Sequence, residues 1–203
     1  METSSTLVGR RRFLLYASAG LGMLGALTIA PLRGATQEDD PSKALKGGPA
    51  NPSWRTVMVR DDEPGEPLIV SGTIYTADGK TPAEGARLYV YQTDASGRYR
   101  QNPLSWQPRL RGWMKTGADG RYEFRTVEPG AYPGKRIAAH IHASLSAPGH
   151  AEEWIDDFLF EDDPNVSPAD RTKAQGQESF SHILKLTRGP EGIWRAVRDI
   201  RLP

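Results

Sequence analysis

The sequence predicts an all-β protein, an antiparallel β-sandwich, preceded by an N-terminal appendage. Three observations point there. From Leu68 onward the chain divides into short runs rich in Val, Ile, Tyr and Phe, separated by turn signals. No stretch of about a dozen residues carries the 3.6-residue apolar period of an amphipathic helix. A length of 203 residues suffices for one well-buried domain and is short for two.

The strand-like runs follow in order. "LIVSGTIYT" (68–76) ends at the turn "ADGK", "ARLYVYQTD" (86–94) at "ASG", and "RYEFRTV" (121–127) at "EPG". Then come "HIHASLSA" (140–147), "DFLFEDD" (157–163), "HILKLT" (182–187) and "IWRAVRDI" (193–200). Between the second and third runs, residues 100–120 read as a long irregular loop carrying Trp106, Trp113, Arg109 and Arg111. Long loops in compact domains often line binding sites. The folded domain is expected over 68–203, behind a tail or linker over 36–67 that is dense in Pro, Gly and charge.

Residues 1–35 have a different texture. Arg10, Arg11 and Arg12 precede Phe13 and Leu14, and a weakly apolar run rich in Gly and Ala extends to Pro31. This pattern reads as a twin-arginine export signal, with Arg10 and Arg11 as the pair. It predicts a periplasmic or extracellular protein that meets a membrane only transiently, during export.

Composition narrows the chemistry. A formal net charge of +1 gives no basic excess for a nucleic-acid partner. The absence of cysteine removes disulfides, thiolate nucleophiles and thiolate metal sites together. Any metal must be held by His, Asp, Glu or Tyr. In a strand, His140 and His142 of "AHIHASLS" point to one face, with Ile141, Ala143 and Leu145 on the other. Tyr132 lies eight residues before His140, and Tyr99 closes "DASGRY". Ferric iron favours anionic oxygen donors and accepts imidazole, and a bound cation lowers the pKa of its ligand. Two tyrosinates with two neutral histidines therefore make a workable Fe(III) site without carboxylate or thiolate.

The motifs "SGTIYTADGKTPAEGARLYVYQTDASGRY", "GADGRYEFRTVEPGAYP", "AHIH" and, more weakly, "FLFEDDP" resemble those of the intradiol ring-cleavage dioxygenases, typified by protocatechuate 3,4-dioxygenase. The resemblance spans about Leu68 to Pro164. It implies the intradiol dioxygenase type of sandwich and a non-haem Fe(III) cofactor bound by Tyr99, Tyr132, His140 and His142. It also implies a catechol substrate, opened with O2 between its two hydroxylated carbons to a cis,cis-muconate. Tyr132 would be the ligand that leaves and takes a substrate proton, and Tyr91 would wall the substrate pocket or pack in the core. Homo- and hetero-oligomers both remain open.

Two departures from the family pattern stand out. Where the family has an arginine three residues before the first histidine to stabilise developing charge, this chain has Ile137, and Arg136, one position further away, is the candidate for that catalytic role. Asp157 stands where a glutamine lines the family's pocket, and a carboxylate there would repel a dianionic substrate unless paired or turned away. Alternatives from other classes are a non-catalytic β-sandwich subunit and a metal-binding module without turnover.

Overall fold

A computed structural model describes residues 47–99 and 107–202. The expected export signal at 1–35, Arg100 and Trp106 lie outside the described residues. Two sheets form. The first runs β1 (Arg55–Val57), β5 (Arg121–Val127), β2 (Pro67–Tyr75), β10 (Trp194–Val197), β9 (Thr187–Arg188), with β11 (Ile200–Arg201) also pairing with β2. The second runs β4 (Leu110–Lys115), β3 (Arg87–Gln92), β6 (His140–Ala147), β7 (His150–Phe160), β8 (Ile183–Leu184). The sandwich is as expected. Its pairings β2–β5, β3–β4, β3–β6, β6–β7 and β9–β10 are antiparallel, whereas β1–β5, β2–β10, β2–β11 and β7–β8 are parallel.

The core lies where alternation places it. On β5, Tyr122, Phe124 and Thr126 turn inward while Arg121 and Arg125 stay exposed. Leu68, Val70 and Ile74 of β2 meet Leu88 and Val90 of β3 and Ile141 and Leu145 of β6 in one cluster. Phe124 and Phe158 join the sheets edge to face, with centroids 5.9 Å apart. Burying side chains of this size contributes about 1.5–3 kcal/mol each.

Three sequence expectations need correction. Part of the predicted tail is built into the sheet, because β1 pairs with β5 from Arg55 to Val57. Part of the predicted long loop is strand β4, whose Trp113 packs on Tyr89 at 5.1 Å. A short helix, α1 (Pro168–Gln175), was not expected. It buries no residue and so has no apolar stripe to read; it forms because Ser167 and Asp170 make a reciprocal capping box with Pro168 at the first helical position.

Candidate metal centre

Four segments bring the site together. The buried Gln92 amide at the end of β3 donates from Nε2 to Val127 O at the end of β5 (2.8 Å), and its Oε1 accepts from Thr126 Oγ1 (3.0 Å). Two loops therefore leave the sandwich side by side, one leading to Tyr99 and the other to Tyr132. Asp94 organises the first: its Oδ1 accepts from the backbone N–H groups of Ser96 (2.9 Å) and Arg98 (3.1 Å). It also ties the loops to each other, since Gly130 N donates to Asp94 O at 2.9 Å and Thr93 Oγ1 to Gly130 O at 2.7 Å.

β6 supplies the other half. Ile141 and Ala143 are buried in the core, which turns His140 and His142 to the opposite face. Asp163 accepts from Ala139 N at 2.7 Å and from Asn165 N at 2.7 Å, fixing the segment that enters β6. Sequence reasoning gave Asp163 no role; its only sign was the acidic cluster after the predicted strand.

Four side-chain atoms converge. Tyr99 Oη is 2.8 Å from His142 Nε2 and in hydrogen-bond contact with Tyr132 Oη. Tyr132 Oη is 3.1 Å from His140 Nε2 and 3.4 Å from His142 Nε2, and the two Nε2 atoms are 3.1 Å apart. The tautomers follow from the outward nitrogens. His140 Nδ1 lies 2.7 Å from Ala138 O, a carbonyl that can only accept, so Nδ1 carries the proton. His142 Nδ1 lies 2.9 Å from Asp157 Oδ1, and the same holds. Both Nε2 lone pairs thus face the point where the phenol oxygens meet, the donor arrangement of a cation site.

Electrostatics agree with that reading. Burial, then the neighbouring Tyr132 hydroxyl, pushes the Tyr99 phenol well above its ordinary pKa. Burial pulls His140 below the usual imidazole value, outweighing its bond to Ala138. Neutral imidazoles are ligands, and a phenol so hard to ionise needs a cation beside it to become a tyrosinate. Two phenol oxygens and two imidazole nitrogens form a hard, borderline donor set that suits ferric iron.

All four residues expected as metal ligands are therefore brought together. Tyr91 stacks on His142, centroids 4.6 Å apart, and lies 5.7 Å from the Tyr99 ring. Asp157 departs from the expectation that it lines the substrate side. The carboxylate sits behind His142, on Nδ1 rather than Nε2, which also makes it a poor partner for a cation held at Nε2 even though it clusters with both histidines. Arg136 is exposed and makes no hydrogen bond or ion pair with the described residues. Arg109 forms a fork on Glu63 (2.6 and 2.7 Å), and Arg111 donates to Gln107 and Pro108, so both are engaged within the protein. His182 is buried against Gln177 (2.7 Å).

A family model described as Dioxygenase matches residues 45–202. The chain belongs to the intradiol dioxygenase family. It is 33% identical over 130 residues to catechol 1,2-dioxygenase 1 of Acinetobacter lwoffii, covering 54% of this chain and 41% of that protein. Over 129 residues it is 33% identical to the protocatechuate 3,4-dioxygenase beta chain of Burkholderia cepacia, covering 58% of this chain and 54% of that one. The chain thus spans about half the length of these relatives, or less. Among family structures, the dioxygenase domain of a dioxygenase–carbohydrate-binding fusion from Streptomyces sp. SirexAA-E is 30% identical with a TM-score of 0.57, covering 76% of this chain and 90% of that domain. The 3-chlorocatechol 1,2-dioxygenase of Rhodococcus opacus 1CP, at 22% identity and TM-score 0.59 (76% and 67% covered), shares the fold.

Proposed function

We propose that this family member is an exported, Fe(III)-dependent intradiol dioxygenase acting on a catechol with O2. The observation that carries the reading is the convergence of Tyr99 Oη, Tyr132 Oη, His140 Nε2 and His142 Nε2. When bound, a ferric ion supplies the Lewis acidity and redox chemistry that let O2 add to a catecholate and open the ring between the oxygenated carbons. The protein supplies binding and orientation. Asp157 and Ala138 O hold the two imidazoles with Nε2 inward. Tyr132, on the loop after β5, would as a tyrosinate take a catechol proton and return to the neutral phenol. Tyr91 provides an aromatic wall beside the site. Export rests on Arg10 and Arg11 ahead of the apolar run.

The test is iron content, visible absorption and O2 uptake over a panel of catechol, protocatechuate, hydroxyquinol and chlorocatechols, with the ring-opened product identified. A protein that stays colourless and inactive after anaerobic iron loading and air oxidation refutes the enzyme reading. The exposed position of Arg136 favours one second reading, a metal-binding module without turnover. Its signature would be iron and colour without O2 uptake. For export, replacing Arg10 and Arg11 with lysine retains the precursor in the cytoplasm; secretion in a strain lacking the twin-arginine translocase refutes that part.

A further inference from the structure

Arg198 lies between β10 and β11 on the same inward face as Ala196 and Ile200, and only 5% of this charged residue is exposed. Its backbone is pinned to the first sheet: Arg198 N donates to Ser71 O at 2.9 Å, and its carbonyl accepts from the Tyr122 hydroxyl at 2.6 Å. From there the side chain crosses to the second sheet. Nη1 donates to the backbone carbonyl of Asp156 at 2.7 Å, and the guanidinium lies 4.2 Å from the Phe158 ring centroid. Nε is buried without a partner, and no described carboxylate forms an ion pair with the group. Desolvating a cation in this way is costly, and one carbonyl with an aromatic face compensates only in part.

The Asp156 carbonyl that Arg198 holds belongs to an irregularity in β7. Pairing with β6 runs His140↔Leu159 and Ile141↔Phe158, then resumes at Ala143↔Ile155. Asp156 and Asp157 therefore stand together opposite His142, as a β-bulge, and bulges commonly re-aim a side chain beside a site. Asp156 is the residue that is tied down. Arg198 holds its carbonyl, while Lys173 of α1 and Gln177 Nε2 (2.9 Å) hold its carboxylate. The next residue, Asp157, then presents Oδ1 to His142 Nδ1.

We infer that Arg198 is a positioning residue: by fixing the Asp156 carbonyl in the bulge, it sets the direction of the Asp157 carboxylate and, through it, the orientation of the His142 ring. The effect on iron rests on the reading of His142 as a metal ligand; the effect on ring orientation does not.

The experiment compares Arg198→Met, which keeps the length and the contact with Phe158, with Asp157→Leu and the double variant. In metal-free protein, NMR with assignment by single histidine replacements is expected to show a slowly exchanging His142 Nδ1–H. That signal disappears in Asp157→Leu and in Arg198→Met, while the His140 Nδ1–H on Ala138 persists in both. Fe(III) affinity falls about 10- to 100-fold in each single variant. The double variant binds no more weakly than Asp157→Leu alone, because Arg198 acts through Asp157. Retention of the His142 Nδ1–H in folded Arg198→Met, or additive losses in the double variant, overturns the inference. If Arg198→Met does not fold, Lys173→Met with Gln177→Leu releases the same Asp156 from its outer side, and an unchanged His142 Nδ1–H there overturns it equally. Because the NMR arm uses metal-free protein, a chain that takes up no iron refutes the metal site while the Arg198 result stands or falls separately.

Discussion

Tyr91 on β3 and His142 on β6 are direct cross-strand partners, and their rings stack at 28° with centroids 4.6 Å apart. Tyr91 therefore braces one face of the imidazole while Asp157 holds its Nδ1. Replacing Tyr91 with alanine removes a 7%-exposed aromatic and is expected to cost about 3–5 kcal/mol of stability. It also frees the His142 ring, so Fe(III) affinity falls. Tyr91→Phe keeps the stacking surface and is expected to hold affinity within about threefold, a difference of roughly 0.6 kcal/mol. Thermal unfolding and iron titration of both variants measure this, and equal iron affinity in all three proteins refutes it.

Asp94 gives a pH-dependent prediction. Burial opposes its ionised form, but hydrogen bonds from Ser96 and from the Arg98 N–H, together with the Arg109 guanidinium, outweigh burial and hold its pKa below the ordinary carboxylate range. A depressed folded-state pKa means stabilisation that is fully present above the unfolded value, about 3.9, and is lost as pH falls through the folded one. Asp94→Asn is therefore expected to be less stable than the parent at neutral pH. The gap should narrow below about pH 4, as measured by urea unfolding across the range. A gap that stays constant down to pH 2 excludes the ionised turn as its source.

How much of this was legible from residues depends on what each feature answers to. "RYEFRTV" read as a strand because alternation writes itself into the sequence, and β5 spans those seven residues. Parallel edges were not legible, since a period of two is the same whichever way the neighbour runs. Tyr99, Tyr132, His140 and His142 were legible because each sits in a local motif that fixes its own backbone. Asp157 was misplaced because the extra residue at Asp156 sits in the β6–β7 pairing, and a single strand cannot show that irregularity. The burial of Arg198 was not legible for a similar reason: what covers it, Asp156 and Phe158, comes from a distant segment.

Arg109 tests whether the charged segment before β4 serves the fold or the substrate. Its fork on Glu63 is partly buried, with 28% and 7% of the two side chains exposed, and Asp94 lies 3.6 Å away. A double-mutant cycle with Arg109→Met and Glu63→Gln is expected to give a coupling of about 1–3 kcal/mol in stability. In the proposed enzyme, Arg109→Met should not raise KM for carboxylated catechols more than for catechol itself. A selective rise for protocatechuate would show that Arg109 also meets the substrate carboxylate.

The two tyrosine loops meet at Gly97, and this contact yields the sharpest mutational contrast. Gly97 adopts φ +78°, and a Cβ there would lie 2.1 Å from Ala131 O and 2.9 Å from Pro133 Cδ, the residues that flank Tyr132. Gly134, two residues after Tyr132, has φ +72° with nothing within 4 Å of such a Cβ. Both alanine variants meet the left-handed backbone penalty of about 1–2 kcal/mol, but only Gly97→Ala must also push the Tyr132 loop away. Overpacking of that kind adds about 1–3 kcal/mol. Gly97→Ala is therefore expected to lose about 2–5 kcal/mol and to separate Tyr99 Oη from Tyr132 Oη, weakening Fe(III) binding and shifting any tyrosinate band. Gly134→Ala should lose only the backbone cost and keep the iron affinity of the parent. Thermal unfolding and iron titration of the pair decide the matter. If Gly134→Ala weakens iron as much as Gly97→Ala does, loop flexibility rather than the contact at Ala131 sets the spacing of the two phenols.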